Sequence, residues 1–187
     1  MEVIDISIGT QYTTHSKMEN LIRKSYGIAL SLQDLKKICN GKVNIFLYTD
    51  LAKTKHIDEL FHPFGCFILL YQQTPNYGHW VTINRVDDHT IEHFDPYGIG
   101  PDEELDGNNP MKIPKYLSAL ISESPYRNVI FNKHALQEHS AKVSTCGRWA
   151  AVRVLMRKKR LASFVSLFHN QQLEPDFYVT AITLGYA

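Results

Sequence analysis

Apolar and polar positions change rhythm along this chain, and each change predicts an element. Ser31 to Cys39 reads as a helix, with Ser31 and Asp34 spaced as a capping box and Asn40-Gly41 closing it. Val43 to Tyr48 reads as a short strand, and His56 to Phe61 as a short helix with Ile57, Leu60 and Phe61 apolar. Phe67 to Tyr71 is a near-continuous apolar run, the pattern of a central strand, with Cys66 at its start as a core residue. Thr74-Pro75-Asn76-Tyr77-Gly78 has turn chemistry. His79 to Arg85 and Thr90 to Asp95 read as two strands joined by a tight turn at Val86-Asp87-Asp88-His89.

Pro96 ends the second of these strands, and Gly100 to Pro110 is acidic and loop-like. A helix from Ile113 to Ser122, a strand from Tyr126 to Phe131 and a polar loop from His134 to Thr145 follow. Ala150, Ala151, Val154 and Leu155 then recur at helical spacing, with Trp149 beside them. Arg148, Arg153, Arg157 and Lys158 fall mostly off that stripe, and Ser144 or Thr145 is placed to cap the helix. Leu161 to His169 extends or follows this helix, and Pro175-Asp176 opens a last one. The pattern predicts an α+β fold: a mixed, mainly antiparallel central sheet with flanking helices.

Composition narrows the function classes. The 187 residues suit a single domain spanning 1–187 with a real core. Twenty Lys and Arg against nineteen Asp and Glu leave no global pull toward nucleic acid or membrane. No apolar run is long enough to span a bilayer. Met1 to Asp5 is acidic and lacks a signal-peptide pattern. Cys39, Cys66 and Cys146 show no CxxC spacing, which argues against a disulfide framework or a thiolate zinc site and for a reducing compartment.

Candidate chemistry centres on Ser144-Thr145-Cys146-Gly147-Arg148-Trp149. Cys146 falls in the first turn of the predicted helix, where unpaired N–H groups and the dipole favour a thiolate. A free cysteine is more often a buried core residue than a nucleophile, so partners decide. A three-residue hairpin loop centred on Asp87 would set His79 opposite Asp95, Val81 opposite His93 and Ile83 opposite Ile91, with Trp80 opposite Phe94 on the other face. Facing Cβ atoms lie roughly 5 Å apart, within reach of an imidazole–carboxylate bond. Cys146, His79 and Asp95 then fill the roles of a thiol hydrolase: nucleophile, base and orienting acid. Gln137 and His139 are the candidates for a side-chain oxyanion donor, beside the Cys146 backbone N–H.

Two motifs compete with this reading. His89-Thr90-Ile91-Glu92-His93 matches H-x-x-E-H, but zinc binding by that motif needs a helix. On a strand its histidines would be roughly 13 Å apart. Arg157-Lys158-Lys159-Arg160 reads as a solvated helix end, with contact to nucleic acid or an acidic peptide as the alternative.

Gly78-His79-Trp80, Phe94-Asp95-Pro96-Tyr97-Gly98 and Gln137 leading to Thr145-Cys146-Gly147 resemble adenain and the ubiquitin-like-protein processing proteases, which share the order His, Asp, Gln, Cys. With Tyr48-Thr49-Asp50-Leu51 and Phe94 to Leu105 the pattern is similar to the maturation proteases of virophages, Polintons and large DNA viruses. The resemblance implies an adenain-like fold with the nucleophile at the start of a central helix. It implies a cysteine endopeptidase, with no cofactor, that cleaves capsid or other virion precursor polypeptides. Such an enzyme would act in the host-cell cytoplasm at the virus factory and in the virion, without membrane attachment. A nucleic-acid or peptide activator is compatible with this reading, and nothing in the sequence points to one. Trp80 would roof a substrate tunnel, so that cleavage follows glycine. A deconjugating isopeptidase acting on ubiquitin or a ubiquitin-like protein is the alternative; an acyltransferase or a binding protein with a vestigial site would also fit the residues. One departure stands out: the superfamily's Gln usually lies six or seven residues before the cysteine, whereas Gln137 is nine before and His139 seven.

Overall fold

The computed structural model describes residues 16–74, 77–107, 109, 112–169 and 171–186. The expectations for Met1 to Asp5 and for Pro75-Asn76 lie outside them. The elements are α1 (16–24), α2 (Leu32–Ile38), β1 (Asn44–Leu47), α3 (Asp58–Phe61), β2 (Cys66–Thr74), β3 (Tyr77–Arg85), β4 (Thr90–Phe94), α4 (Glu104–Gly107), α5 (Tyr116–Ser122), β5 (Asn128–Phe131), α6 (Cys146–Leu155), α7 (Leu161–His169) and α8 (Pro175–Thr183). Short 3-10 turns cover Ser25–Gly27, Tyr48–Lys53 and Leu184–Tyr186. The fold is α+β. Among the described residues no helix is long and apolar enough to cross a membrane.

The sheet runs β1-β2-β3-β4-β5 in sequence order. Its centre is antiparallel, β2 with β3 and β3 with β4, and both edge pairs are parallel. Alternation along β2 and β3 sends side chains to two cores. Phe67, Leu69, Tyr71, Val81 and Ile83 pack with Leu60 and Phe61 of α3 and Leu117 and Leu120 of α5. Cys66, Ile68, Leu70 and Trp80 pack on the opposite face with Leu35 and Ile38 of α2 and with Cys146, Ala150, Ala151 and Val154 of α6. A third cluster joins Phe94, Trp149 and Val152 to Phe164 and Phe168 of α7 and Val179 of α8. Helix α6 is therefore enclosed by the sheet on one side and helices on the others.

That enclosure corrects the predicted amphipathic stripe. Every residue of α6 from Cys146 to Val154 is buried, Arg148 and Arg153 included. Arg153 survives burial because Glu92 on β4 meets it with both carboxylate oxygens at 2.7 Å, while Phe164 stacks against its guanidinium. The Arg148 guanidinium donates to Thr183 Oγ1 at 2.8 Å. Arg153 also donates to the carbonyls of Met156 and Lys159, pinning the turn that separates α6 from α7. Leu161–His169 thus follows α6 as a separate helix.

Three boundaries move for local reasons. Helix α5 starts at Tyr116, because Pro114 disfavours helical backbone at Ile113. Strand β5 starts at Asn128, because the N–H groups of Arg127 and Asn128 both donate to the His89 carbonyl. The acidic stretch after Pro96 contains α4 and is tethered by Asp102. This buried residue at φ 63° accepts from the hydroxyls of Tyr48 and Tyr71 and from the Ser118 N–H.

The hairpin register also differs from the expected one. Thr82 pairs with Phe94, Ile83 with His93, Asn84 with Glu92 and Arg85 with Ile91. The Val86 N–H donates to the Thr90 carbonyl at 3.0 Å, which makes the three-residue loop Asp87–His89, centred on Asp88. The Asp87 carboxylate caps that loop by accepting the His89 N–H at 2.8 Å. Moving the centre by one residue slides the strands by two. Residues keep their faces, but His79 is no longer directly opposite Asp95, nor Trp80 opposite Phe94.

Candidate active site

Strand β3 outruns β4. Pairing with β4 stops at Thr82–Phe94, while β3 continues back to Tyr77 along β2. Beside residues 77–81 the sheet is open on the β4 side, and the chain from Asp95 onward crosses this end. The gap gives the His79 side chain room to reach sideways, so Nε2 lies 2.9 Å from Asp95 Oδ1 despite the shifted register. Gly78 permits the crowding. A Cβ there would come within 1.9 Å of the Tyr71 carbonyl oxygen, so no other residue fits this backbone.

Asp95 is held from several directions. Its Oδ1 also accepts the Tyr97 N–H at 2.7 Å, its N–H donates to Asn132 Oδ1 at 3.1 Å, and its carbonyl accepts from Asn132 Nδ2 and the Gly98 N–H. Gly98 has φ 78°, and a Cβ on it would lie 2.8 Å from the His134 carbonyl carbon. The 96–98 turn is thus sealed against the loop that carries Gln137, whose N–H and that of Leu136 both donate to the Pro96 carbonyl.

Helix α6 begins at Cys146. Thr145 stands at its N-cap, one of the two residues the sequence offered, but its side chain makes no capping bond. The Thr145 hydroxyl donates instead to Asp176 on α8, and the same carboxylate accepts from Trp149 Nε1 at 2.9 Å and from the Glu138 N–H at 2.8 Å. One buried acid thus ties together the start of α6 and the loop that precedes it. The first-turn N–H groups of α6 are left without a side-chain cap, facing the same end as the thiol.

These elements enclose a cleft of about 450 Å³ lined by Leu30, Leu70, Glu104 and Val143 together with His79, Trp80, Tyr97, Gln137 and Cys146. All five predicted residues but Asp95 line it, and Asp95 lies directly behind His79. Cys146 is 9% exposed. Burial opposes a cation on His79, but the Asp95 carboxylate and then the neighbouring Cys146 thiol raise its pKa well above the ordinary imidazole value. With Nε2 on Asp95, Nδ1 is the ring atom left to exchange a proton with the thiol. The other two thiols are remote from this chemistry. Burial pushes Cys39 up to about 12 and also raises Cys66.

Gln137 is buried and His139 is exposed. The Gln137 amide donates from Nε2 to the Tyr97 hydroxyl at 2.9 Å and to the Val143 carbonyl at 3.3 Å. His139 stacks on the outer side of Tyr97 at 4.2 Å, while His79 stacks on that ring at 4.7 Å. Trp80 lies among Leu70, Ala150 and Cys146 on the α6 face. The strand begins at Tyr77 and so includes His79, two residues earlier than the sequence pattern placed its start. Trp80 and His79 leave the strand on opposite faces, and the open strand end brings both to one cleft.

The H-x-x-E-H segment forms no zinc site. His89 is in the exposed turn, His93 is buried on β4 with burial lowering its pKa, and Glu92 belongs to Arg153 and Asn84. His79, Asp95 and Glu104 offer ligand atoms within 4.8 Å of one another, but Nε2 of His79 and Oδ1 of Asp95 are already bonded to each other.

The chain is 31% identical over 172 residues to protein V9 of the Sputnik virophage, an uncharacterized protein, across 84% of this chain and 95% of V9. The chain belongs to the V9 family. No family model matches it. Among solved structures, the ASFV pS273R protease overlays this V9-family chain with a TM-score of 0.49 at 10% identity, over 95% of this chain and 79% of that one. ChlaDub1 from Chlamydia trachomatis gives 0.43 at 12% identity, over 91% and 75%. The SUMO protease Ulp1 gives 0.40 at 14% identity, over 88% and 74%. With so few identities and such partial overlays, the chemistry has to be argued from the V9-family residues themselves.

Sequence reasoning missed three residues of this site. Asp176 is far along the chain with no motif around it, and only its place beside Pro175 was noted. Glu104 was assigned to a loop; its carboxyl lies near His79 and Asp95, and burial raises its pKa. Asn132, which fixes Asp95 through both backbone groups, carries no local signal at all.

Proposed function

We propose that the protein is a cysteine endopeptidase whose working residues are His79, Asp95 and Cys146. The observation that carries this reading is the thiol at the start of α6, lining one cleft with an imidazole whose Nε2 is held by a buried carboxylate at 2.9 Å. In the proposed reaction Cys146 Sγ attacks the substrate carbonyl carbon and its proton passes to His79 Nδ1. Asp95 stabilises the imidazolium. The carbonyl oxygen takes up the displaced electron pair and is met by the α6 backbone N–H groups and the Gln137 side of the cleft. His79 returns the proton to the leaving amine. Water then hydrolyses the thioester.

The substrates we assign are capsid or other virion precursor polypeptides, cut after glycine. Membership of a virophage protein family supports viral substrates and, with them, action at the virus factory in the host cytoplasm and in the virion. Glycine selection rests on Trp80, whose indole narrows the cleft beside Cys146. Gly147 is packed just as tightly, since a Cβ there would meet Trp80 Cδ1 at 3.3 Å and Leu30 Cβ at 3.1 Å.

The test is to incubate the purified protein with the virus's capsid precursor and, in parallel, with a ubiquitin-like vinyl-sulfone probe. Cleavage of the precursor after glycine, abolished by Cys146→Ala, is the expected result. An adduct with the probe and no precursor cleavage would instead make the protein a deconjugating isopeptidase. No reaction of Cys146 with either would make the site vestigial.

A further inference from the structure

The Gln137 amide has two N–H bonds, and both are committed. One points to the Tyr97 hydroxyl at 2.9 Å and the other to the Val143 carbonyl at 3.3 Å. Val143 O can only accept, so the group facing it has to be the amide nitrogen, which fixes the orientation of the amide. The other end, Gln137 Oε1, is buried without a partner. A carbonyl oxygen cannot stabilise an oxyanion. Gln137 therefore presents no hydrogen to a tetrahedral intermediate in this arrangement.

Tyr97 does. Its hydroxyl oxygen receives the Gln137 N–H, which leaves the phenolic hydrogen as the one to give. The ring is part of the cleft wall with Cys146, and its face is stacked on His79. We infer that the Tyr97 hydroxyl is the side-chain oxyanion donor and that Gln137 is a positioning residue acting through it. The inference rests on the reading of the site as a thiol peptidase.

When the S–C bond forms, the carbonyl π electrons move to oxygen, and the Tyr97 O–H donates a hydrogen bond to that oxygen without giving up its proton. The phenol keeps its proton throughout: burial, then the Cys146 and Asp95 charges, push its pKa up to about 12. The Gln137 N–H bond to the phenol oxygen polarises the O–H and makes it a better donor. The relay also accounts for the spacing. A glutamine nine residues before the cysteine, rather than six or seven, has its amide in the second rank, bonded to the Tyr97 hydroxyl while the ring lies between His79 and His139. His139, at the expected spacing, is stacked on the outer side of that ring.

The experiment compares wild type, Tyr97→Phe, Gln137→Ala and the double variant in two assays. One is hydrolysis of a fluorogenic peptide with glycine before the scissile amide. The other is alkylation of Cys146 by iodoacetamide, a displacement that develops no oxyanion. Phenylalanine keeps the stack on His79 and removes only the hydroxyl. Tyr97→Phe should lower kcat on the order of a hundredfold, leave KM unchanged and leave the alkylation rate at its wild-type value. The double variant should be little worse than either single one, because the two side chains act as one unit. Wild-type kcat in Tyr97→Phe would overturn the inference, as would a matching fall in alkylation, which would reduce Tyr97 to a support for His79. If the wild type hydrolyses no peptide, or if hydrolysis survives Cys146→Ala, the peptidase reading itself falls and the inference with it.

Discussion

Two buried pairs of opposite character hang on β4 and the residue just past it, three positions apart. Glu92 faces Arg153, and Asp95 faces His79. Both are almost fully enclosed: Glu92 and Arg153 side chains are 2% and 1% exposed, His79 and Asp95 5% and 1%. The Glu92 pair is saturated. Both oxygens are taken by Arg153, Asn84 adds a third bond, and two more guanidinium hydrogens go to the Met156 and Lys159 carbonyls. The Asp95 pair takes only one imidazole nitrogen, and the ring shares a cleft with a thiol. Burial and charge are alike in the two; residual bonding capacity differs. A saturated pair fixes the connection of α6 to the sheet, whereas an incomplete one can move a proton.

The largest effect should come from Cys146→Ala, which removes the proposed nucleophile and should leave no measurable peptide hydrolysis while the fold persists. Asp95→Asn comes next. Losing the orienting carboxylate should lower kcat by roughly 10³- to 10⁴-fold. It should also shift the pH profile in a definite direction. Asp95 holds the His79 pKa up, so without its charge the imidazolium is lost at lower pH, and the alkaline fall in kcat/KM, which needs His79 to protonate the leaving amine, should begin at lower pH than in wild type. The stability that pair contributes in the wild type is fully present below the ordinary imidazole pKa and disappears as pH rises through the raised one.

Glu92→Gln should do the opposite of Asp95→Asn. It leaves Arg153 buried and uncompensated, at a cost of about 3–5 kcal/mol in unfolding free energy, read by urea denaturation. The kcat of the folded fraction should stay at the wild-type value. A large fall in kcat at unchanged stability would erase the distinction between the two pairs. The smallest effect expected is a change of preference in Trp80→Ala: a peptide library should show glycine before the scissile bond in wild type, with alanine or serine newly accepted in the variant.

The contrast between the pairs also explains what was legible in the sequence. His79, Asp95 and Cys146 carry short motifs around them, and alternation put His79 and Asp95 on a common face of the hairpin. That conclusion survived a register error, because moving the turn centre from Asp87 to Asp88 shifts pairing by two and preserves faces. The Glu92–Arg153 pair was invisible. Arg153 reads as a solvent-side residue of an amphipathic helix, and only the packing of α7 and α8 over α6 shows that the helix has no solvent side. Asp176 was hidden for the same reason: its partners Thr145, Trp149 and Glu138 are brought to it by tertiary contacts over 27 or more residues. The helix boundaries at Tyr116 and the strand start at Asn128 follow from one proline and one carbonyl, details that apolar rhythm does not encode.

The central claim is that the thiol at the start of α6 is set apart from the other two by its imidazole partner. Limited iodoacetamide labelling of the folded wild type near neutral pH, with each cysteine quantified by mass spectrometry, tests it most directly. Cys146 should be labelled well before Cys39 and Cys66, whose pKa values burial raises, and its advantage should shrink in His79→Ala. Labelling of Cys39 or Cys66 first, or a Cys146 rate indifferent to His79, would contradict the claim.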